Sequence, residues 1–374
     1  MTVTNQAKQI IPFFELTGQM RQLKAELESA FSRVVESGNY ILGGEVAAFE
    51  KDFAQYIGAR FAVGVASGTD ALTLSLRAVG IGAGDEVITV ANTAVPTVVA
   101  ISQAGATPVF VDIEKEGFHM DPSLIAKRIT PRTKAILPVH LYGQTVSMDT
   151  IVALAQKHGI PVIEDACQAH GAKYGTKTAG NIGLMGCFSF YPTKNLGGVG
   201  DGGMITLNNQ DLYENLLLLR NYGQKSKYEH VSIGFNSRLD ELQAAILRIK
   251  LKHLDRWNQR RMEIAKLYLQ NINNESIKLP PVDECRKSVY HQFVIRTSNR
   301  DQLQSWLNQN GVGTLIHYPT PVHLQKAYAF LKVKNGDLPR SESHCHTVLS
   351  LPSYPELTDE QVLQVCKLIN DFKG

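Results

Sequence analysis

The sequence predicts an α/β protein with a large domain on a mostly parallel central sheet, followed by a smaller α+β domain. Three observations carry this. Short β-branched runs alternate with helical periods from Phe61 onward. The pattern changes beyond about Leu254, and 374 residues exceed what one hydrophobic core usually holds. The expected boundaries are 12–250 for the large domain and 251–374 for the small one.

The first unit is "FAVGV", then a helix whose apolar Leu72, Leu76 and Val79 recur at i, i+4, i+7. "EVITV" precedes "PTVVAISQAG", "TPVFVDI" precedes "DPSLIAKRI", and "KAILPVHLYG" precedes "MDTIVALAQKHG". "IPVIED" closes this βαβα series, which builds a parallel sheet covered by helices and puts ligands at the strand C-terminal ends. "MITL" after Gly203 reads as another strand. A long helix is expected from Ser237, with Ser237 and Asp240 as a capping box and Leu239, Leu242, Ile246 and Ile249 as its buried stripe. The small domain then shows a break at Pro280 and Pro281, one strand in "YHQFVIR", and helices from Asp301 and Asp359. With no repeat or long linker, the two domains are expected to pack closely and share a site.

Composition excludes several classes. A residue content 44% hydrophobic and 20% charged, with a net charge of +3, gives no basic stripe for nucleic acid. Five widely spaced cysteines lack the pairing that zinc or a redox couple needs. The first residues show no signal-peptide pattern, and no apolar run is long enough to cross a bilayer, so a cytoplasmic location is expected.

The chemistry centres on "SFYPTKNLGGVGDGG" (189–203). A P-loop needs its lysine after the glycines, whereas here they follow Lys194. The literal GxGxxG from Gly198 to Gly203 precedes a strand instead of opening a helix, so the dinucleotide context is missing. The glycines suit a loop needing positive φ and close backbone approach. Alone, Lys194 reads as a solvated turn residue, Asp165 at the end of "IPVIED" as a helix cap, and Ser67-Gly68-Thr69-Asp70 as an ordinary βα turn. Together they supply what pyridoxal phosphate requires: an amine, an anion for the pyridinium nitrogen, and a helix N-terminus for the phosphate.

"ASGTDAL", "IEDACQAHGA", the lysine loop, "GFNSRLDELQAAI" and "IHYPTPVHLQ" resemble the DegT/DnrJ/EryC1/StrS family of nucleotide-sugar aminotransferases over almost the whole chain. The resemblance implies the fold-type-I, aspartate aminotransferase-like architecture, with pyridoxal 5'-phosphate becoming pyridoxamine 5'-phosphate during turnover. "LRNYGQKSKY" and "NSRLDELQAAILRIKLKHLDRWNQRR" are similar to the enzymes that aminate C-3 of dTDP-linked 3-keto-6-deoxyhexoses. By this resemblance Lys194 binds the cofactor aldehyde and shuttles the proton, Asp165 holds the ring nitrogen protonated, and Gln168 bonds the ring hydroxyl. Gly68, Thr69 and Ser189 hold the phosphate, joined by Asn236 of a neighbouring subunit in a homodimer with shared sites. Tyr191, Arg220, Tyr222, Lys225, Arg238, His317 and Tyr318 are expected on the sugar nucleotide, L-glutamate as donor, and no metal at His317 and His323.

The sequence departs from the family at Ala94, where an aromatic residue usually stacks on the ring. Three alternatives stay open: another nucleotide ketosugar (a UDP-linked 3-keto-uronic acid or a 4-keto-6-deoxy sugar), a sugar dehydratase of the same scaffold, disfavoured because such enzymes look to carry histidine at the lysine position, and a ligand-binding relative without activity.

Overall fold

The computed structural model describes residues 10–373. Its large domain is built on seven strands: β1 (Phe61–Val65), β2 (Glu86–Val90), β3 (Thr107–Val111), β4 (Thr133–Ile136), β5 (Ile163–Asp165), β6 (Met185–Ser189) and β7 (Gly203–Leu207). Their spatial order is β3-β2-β4-β5-β6-β7-β1. The β4–β5 join is made by parallel bridges Ile136 to Val162 and Val139 to Asp165, the latter with Asp165 N–H on the Pro138 carbonyl at 2.9 Å. Only β7 runs against its neighbours, so the sheet is mostly parallel as expected.

Strand periodicity sorts side chains between two cores. Met185 and Cys187 of β6, with Ile205 of β7, pack under the helices α4 (Gly68–Ala78), α5 (Val95–Gln103), α6 (Met148–His158) and α7 (Gln210–Leu219). Phe188 and Met204 point the other way and join Phe49, Phe53 and Phe190 under α3 (Gly44–Ile57) and α8 (Glu241–Leu251). Ahead of these lie α1 (Thr17–Gln22) and α2 (Lys24–Ser37).

The long helix expected from Ser237 starts instead at Glu241, breaks at Lys252 and His253, and resumes as α9 (Leu254–Asn271). No capping box forms: Asp240 is the N-cap without a side-chain bond. The Ser237 hydroxyl instead donates to Asp70 Oδ2 (2.7 Å) and accepts the Ala66 N–H (3.1 Å). Leu239, expected in the stripe, lies before the helix yet is buried.

The small domain packs α9, α10 (Arg300–Gln309) and α12 (Asp359–Asp371) around the antiparallel pair β8 (Phe293–Arg296) and β9 (Val348–Leu351). Helix α11 (Pro339–Thr347) and β9 escape the sequence reading, because "VLSL" is short and flanked by no turn residue on its N-terminal side. Thr358 and Gln361 form a complete capping box for α12. Residues near the start of the described chain also belong to this domain: Ile11 bridges Val312 and is fully buried in its core. The domains meet closely: Asn195 Nδ2, one residue after Lys194, donates to Asn258 Oδ1 (2.8 Å) and the Val289 carbonyl (3.1 Å). Among the described residues no helix is long and apolar enough to cross a membrane.

Candidate active site

A cavity of about 510 Å³ opens at the C-terminal edge of the sheet, lined by the ends of β5 and β6, the start of α4 and α5, and Tyr318 of the small domain. Lys194, Asp165, Gln168, Ser189, Gly68, Thr69, Tyr191 and Tyr318, all expected in the site, line it together.

Asp165 ends β5, so strand geometry alone aims it at the strand mouths. Its Oδ2 accepts the Thr97 hydroxyl (2.7 Å) and its Oδ1 the Cys167 N–H (3.2 Å). Gln168 Oε1 takes the Tyr142 N–H (2.7 Å), and its Nε2 donates to the Tyr318 hydroxyl (3.2 Å). Tyr142 sits at φ 57°, a costly region for a residue with a Cβ, with its carbonyl accepting the Gln292 N–H (3.3 Å) and its hydroxyl donating to the His317 carbonyl.

Lys194 follows Pro192 in a tight turn closed by its own N–H on the Tyr191 carbonyl (2.9 Å). Burial lowers the pKa of its amine, with Cys167 and Asp165 opposing. Burial likewise holds His317 down to about 4 and His170 to about 3, with Lys194 adding to both, so these rings are neutral beside the amine. The Tyr318 hydroxyl is pushed up to about 12, mainly by burial.

The loop after Lys194 is fixed by contact, not by unusual dihedrals. None of its glycines from Gly197 to Gly203 has positive φ, which corrects that expectation. The close approach is real: a Cβ on Gly203 would lie 2.2 Å from the Ser67 carbonyl oxygen. Helix α8 grips the loop through Gln243 Oε1 on the Val199 N–H (2.9 Å) and through the Lys250 amine on the Gly197 carbonyl.

At the other end, Ser67 caps α4 by accepting the Asp70 N–H (3.1 Å). The Gly68 and Thr69 N–H groups precede the first intrahelical bond and add to the helix dipole, an arrangement that attracts an anion. A Cβ on Gly68 would lie 2.6 Å from Ser189 Cβ and 2.9 Å from Cys167 Sγ, so glycine is what lets the helix start lie against Ser189. An amine and a carboxylate on the cavity wall, a hydrogen-bonding amide and an anion cup fit pyridoxal phosphate.

Other expected residues fall outside the cavity. Arg220 is buried, its guanidinium on Glu50 and on the Gly64 carbonyl (2.9 Å). That pairing employs the cation within the large domain, and Arg220 is not among the residues lining the cavity. Tyr222 and Arg238 stack on one another 5.4 Å apart, and Arg238 donates to Asn221 Oδ1 (2.9 Å). Tyr222, Lys225 and Asn236 are exposed on the 221–236 loop. His317 borders a neighbouring cavity of about 140 Å³ with Phe13, Thr193 and His291, and its Nδ1 bonds Ser350 Oγ at 2.9 Å. His323 pairs with Glu342 (3.1 Å) in a separate buried cluster, and no group of three metal-ligating residues exists among the described ones. The smaller side chain of Ala94 lines the cavity beside Val95 and Pro96. Sequence reasoning missed Thr93, Thr97, Tyr142 and Asp201. A threonine in the first turn of a helix reads as a cap, and nothing local shows that Asp165 lies opposite.

The profile of the DegT/DnrJ/EryC1/StrS aminotransferase family matches residues 21–370. The chain is 49% identical to the dTDP-3-amino-3,6-dideoxy-alpha-D-galactopyranose transaminase of Aneurinibacillus thermoaerophilus, covering 97% of this chain and 99% of that one. Among solved structures it is similar to DesV of S. venezuelae in complex with a ketimine intermediate, with a TM-score of 0.95, 48% identity, and coverage of 97% and 98%. NtdA from Bacillus subtilis with the bound cofactor PMP matches with a TM-score of 0.89 and 32% identity over 98% of this chain and 86% of that one.

Proposed function

The chain belongs to the DegT/DnrJ/EryC1/StrS aminotransferase family, and from that premise we propose that it transfers an amino group to C-3 of a dTDP-linked 3-keto-6-deoxyhexose. The product is a dTDP-3-amino-3,6-dideoxyhexose, L-glutamate is the donor, and pyridoxal 5'-phosphate is the carrier. The observation that carries this reading is one cavity holding Lys194, Asp165 and the open start of α4. The C-3 position and the dTDP carrier follow the Aneurinibacillus likeness.

When bound, pyridoxal phosphate supplies an aldehyde that takes up the amine and a pyridine ring that holds the electron pair freed at the substrate carbon. The chain's residues do the rest. Asp165 would accept the ring N–H and keep the nitrogen protonated. Gln168 would donate to the ring hydroxyl, and Gly68, Thr69 and Ser189 would hold the phosphate. Lys194 Nζ, its proton affinity lowered by burial, would hold the cofactor through its aldehyde carbon and would move the proton at the substrate carbon. Tyr191 and Tyr318 line the cavity and suit the sugar, with His317 on the adjoining cavity; the hydroxyls donate hydrogen bonds.

The working unit in this reading is a cytoplasmic homodimer. Tyr222, Tyr228, Val231 and Ile233 are exposed apolar residues on the loop that also bears Lys225, next to Asn236 and Arg238. Covering that loop with a second copy would bring Asn236 and the cations to the partner's cavity.

The test is turnover with glutamate on isolated nucleotide sugars, paired with borohydride fixation of the cofactor and mass spectrometry of the peptide carrying Lys194. Amination of the dTDP-linked 3-keto sugar, with fixation at Lys194, is expected. Preference for a UDP-linked 3-keto-uronic acid or a 4-keto sugar would overturn the substrate alone; no fixation would overturn the reaction.

A further inference from the structure

We propose that Thr97, backed by Thr93, is a positioning residue for Asp165, forming a one-way hydroxyl relay that fixes the carboxylate's rotation at the cavity wall. This rests on the cofactor reading above. All three side chains are sequestered from bulk water: Thr93 is 2%, Thr97 1% and Asp165 5% exposed. The Thr97 hydroxyl lies 2.7 Å from Asp165 Oδ2 and 2.8 Å from the Thr93 hydroxyl.

The direction follows from donor inventory. An ionised carboxylate only accepts, so Thr97 must donate to Asp165. Its oxygen is then left to accept, and Thr93 must be the donor to it. Each hydroxyl polarises the next, which strengthens the contact on the carboxylate. Cys167 N–H holds the other oxygen at 3.2 Å, so Asp165 is pinned at both ends and its remaining lone pairs are left to the cavity.

Thr97 does not bond back along its own helix. Threonines and serines inside helices commonly bond back to the carbonyl four residues earlier. Thr73 does this to Thr69 (3.0 Å) and Ser102 to Val98 (3.2 Å). Thr97 instead turns its hydrogen across 68 positions of sequence to the end of β5. Pro96, at the start of the same helix, has no N–H to offer the carboxylate, so in this turn the hydroxyl takes that part.

The experiment compares holoenzyme carrying Thr97→Val, Thr97→Ser and Thr93→Val with the unaltered protein. It reads the rate of the glutamate half-reaction and the ¹⁵N chemical shift of the ring nitrogen in bound, ¹⁵N-labelled cofactor. Valine keeps the shape and removes the hydroxyl. Thr97→Val is expected to slow the half-reaction about tenfold or more and to displace the nitrogen signal, since a hydrogen bond to a charged group is of that size. Thr97→Ser is expected to restore both to within about twofold, and Thr93→Val to shift both in the same direction by less. An unchanged nitrogen signal in Thr97→Val, or a serine variant no better than valine, overturns the relay while Lys194 fixation in the unaltered protein leaves the aminotransferase reading standing. If Thr97→Val does not fold, an unchanged signal in Thr93→Val is the overturning result. Absence of fixation in the unaltered protein overturns both.

Discussion

Glu164 and Asp165 are adjacent acids on one strand, and they live in different chemical worlds. Glu164 is fully buried. Its Oε1 accepts the Ile182 and Gly183 N–H groups, both at 2.7 Å, and its Oε2 accepts the Gly180 N–H and His140 Nε2, both at 2.8 Å. Because His140 Nδ1 accepts the Val146 N–H (3.1 Å), its Nε2 carries the hydrogen given to Glu164. Every acceptor site on Glu164 is filled by protein. Asp165, on the opposite face of the strand, takes two donors and borders a cavity. The difference teaches that an acid here becomes a tool where its acceptor capacity is left open, and part of the scaffold where it is saturated.

The sharpest way to break this contrast is to neutralise each acid in turn. Asp165→Asn is expected to slow the amino-transfer half-reaction about a thousandfold or more while thermal unfolding stays near that of the unaltered protein. Glu164→Gln is expected to do the reverse, lowering stability by about 3 kcal/mol in denaturant titration because a buried amide NH₂ would face backbone N–H donors. Its folded fraction should turn over near the normal rate. If both variants lose activity equally at equal stability, the two acids are not distinct.

Gly68→Ala sharpens the phosphate end of the comparison. The new methyl would press on Ser189 and Cys167, so cofactor affinity measured by equilibrium dialysis is expected to fall about tenfold or more. Lys194→Met tests the amine without cofactor. Burial lowers the lysine's pKa, so protonating it opposes folding at neutral pH, and that cost fades as pH rises toward the ordinary 10.5. The apo variant should therefore unfold at a higher temperature than apo wild type near pH 7, with the gap closing in alkali. Thr358→Ala is the smallest change, about 1 kcal/mol of stability from the lost cap, with transfer rates unaltered.

The strand–helix alternation, the sheet edge carrying Asp165, and the lysine loop were legible because each is written in a contiguous stretch. What was not legible depends on partners distant in sequence. The pairing of Arg220 was hidden because its partner Glu50 lies 170 positions away. Ser237 looked like a helix cap, but its bonds run to Ala66 and Asp70. Thr97 gave no local signal, since its role exists only once α5 lies over β5. The glycine run announced its closeness to neighbouring backbone but not its ordinary dihedrals, because small size and positive φ call for the same residue.

Ile11 gives its N–H to the Gly311 carbonyl and takes the Gly313 N–H, at 2.8 and 2.9 Å, while Phe13 lies against the His317 ring. This segment thus finds its seat only after the chain has been made through Gly313. During that interval its apolar side chains have no native neighbours, and any fragment ending before residue 311 carries them bare, as sticky ends awaiting a domain that was never made.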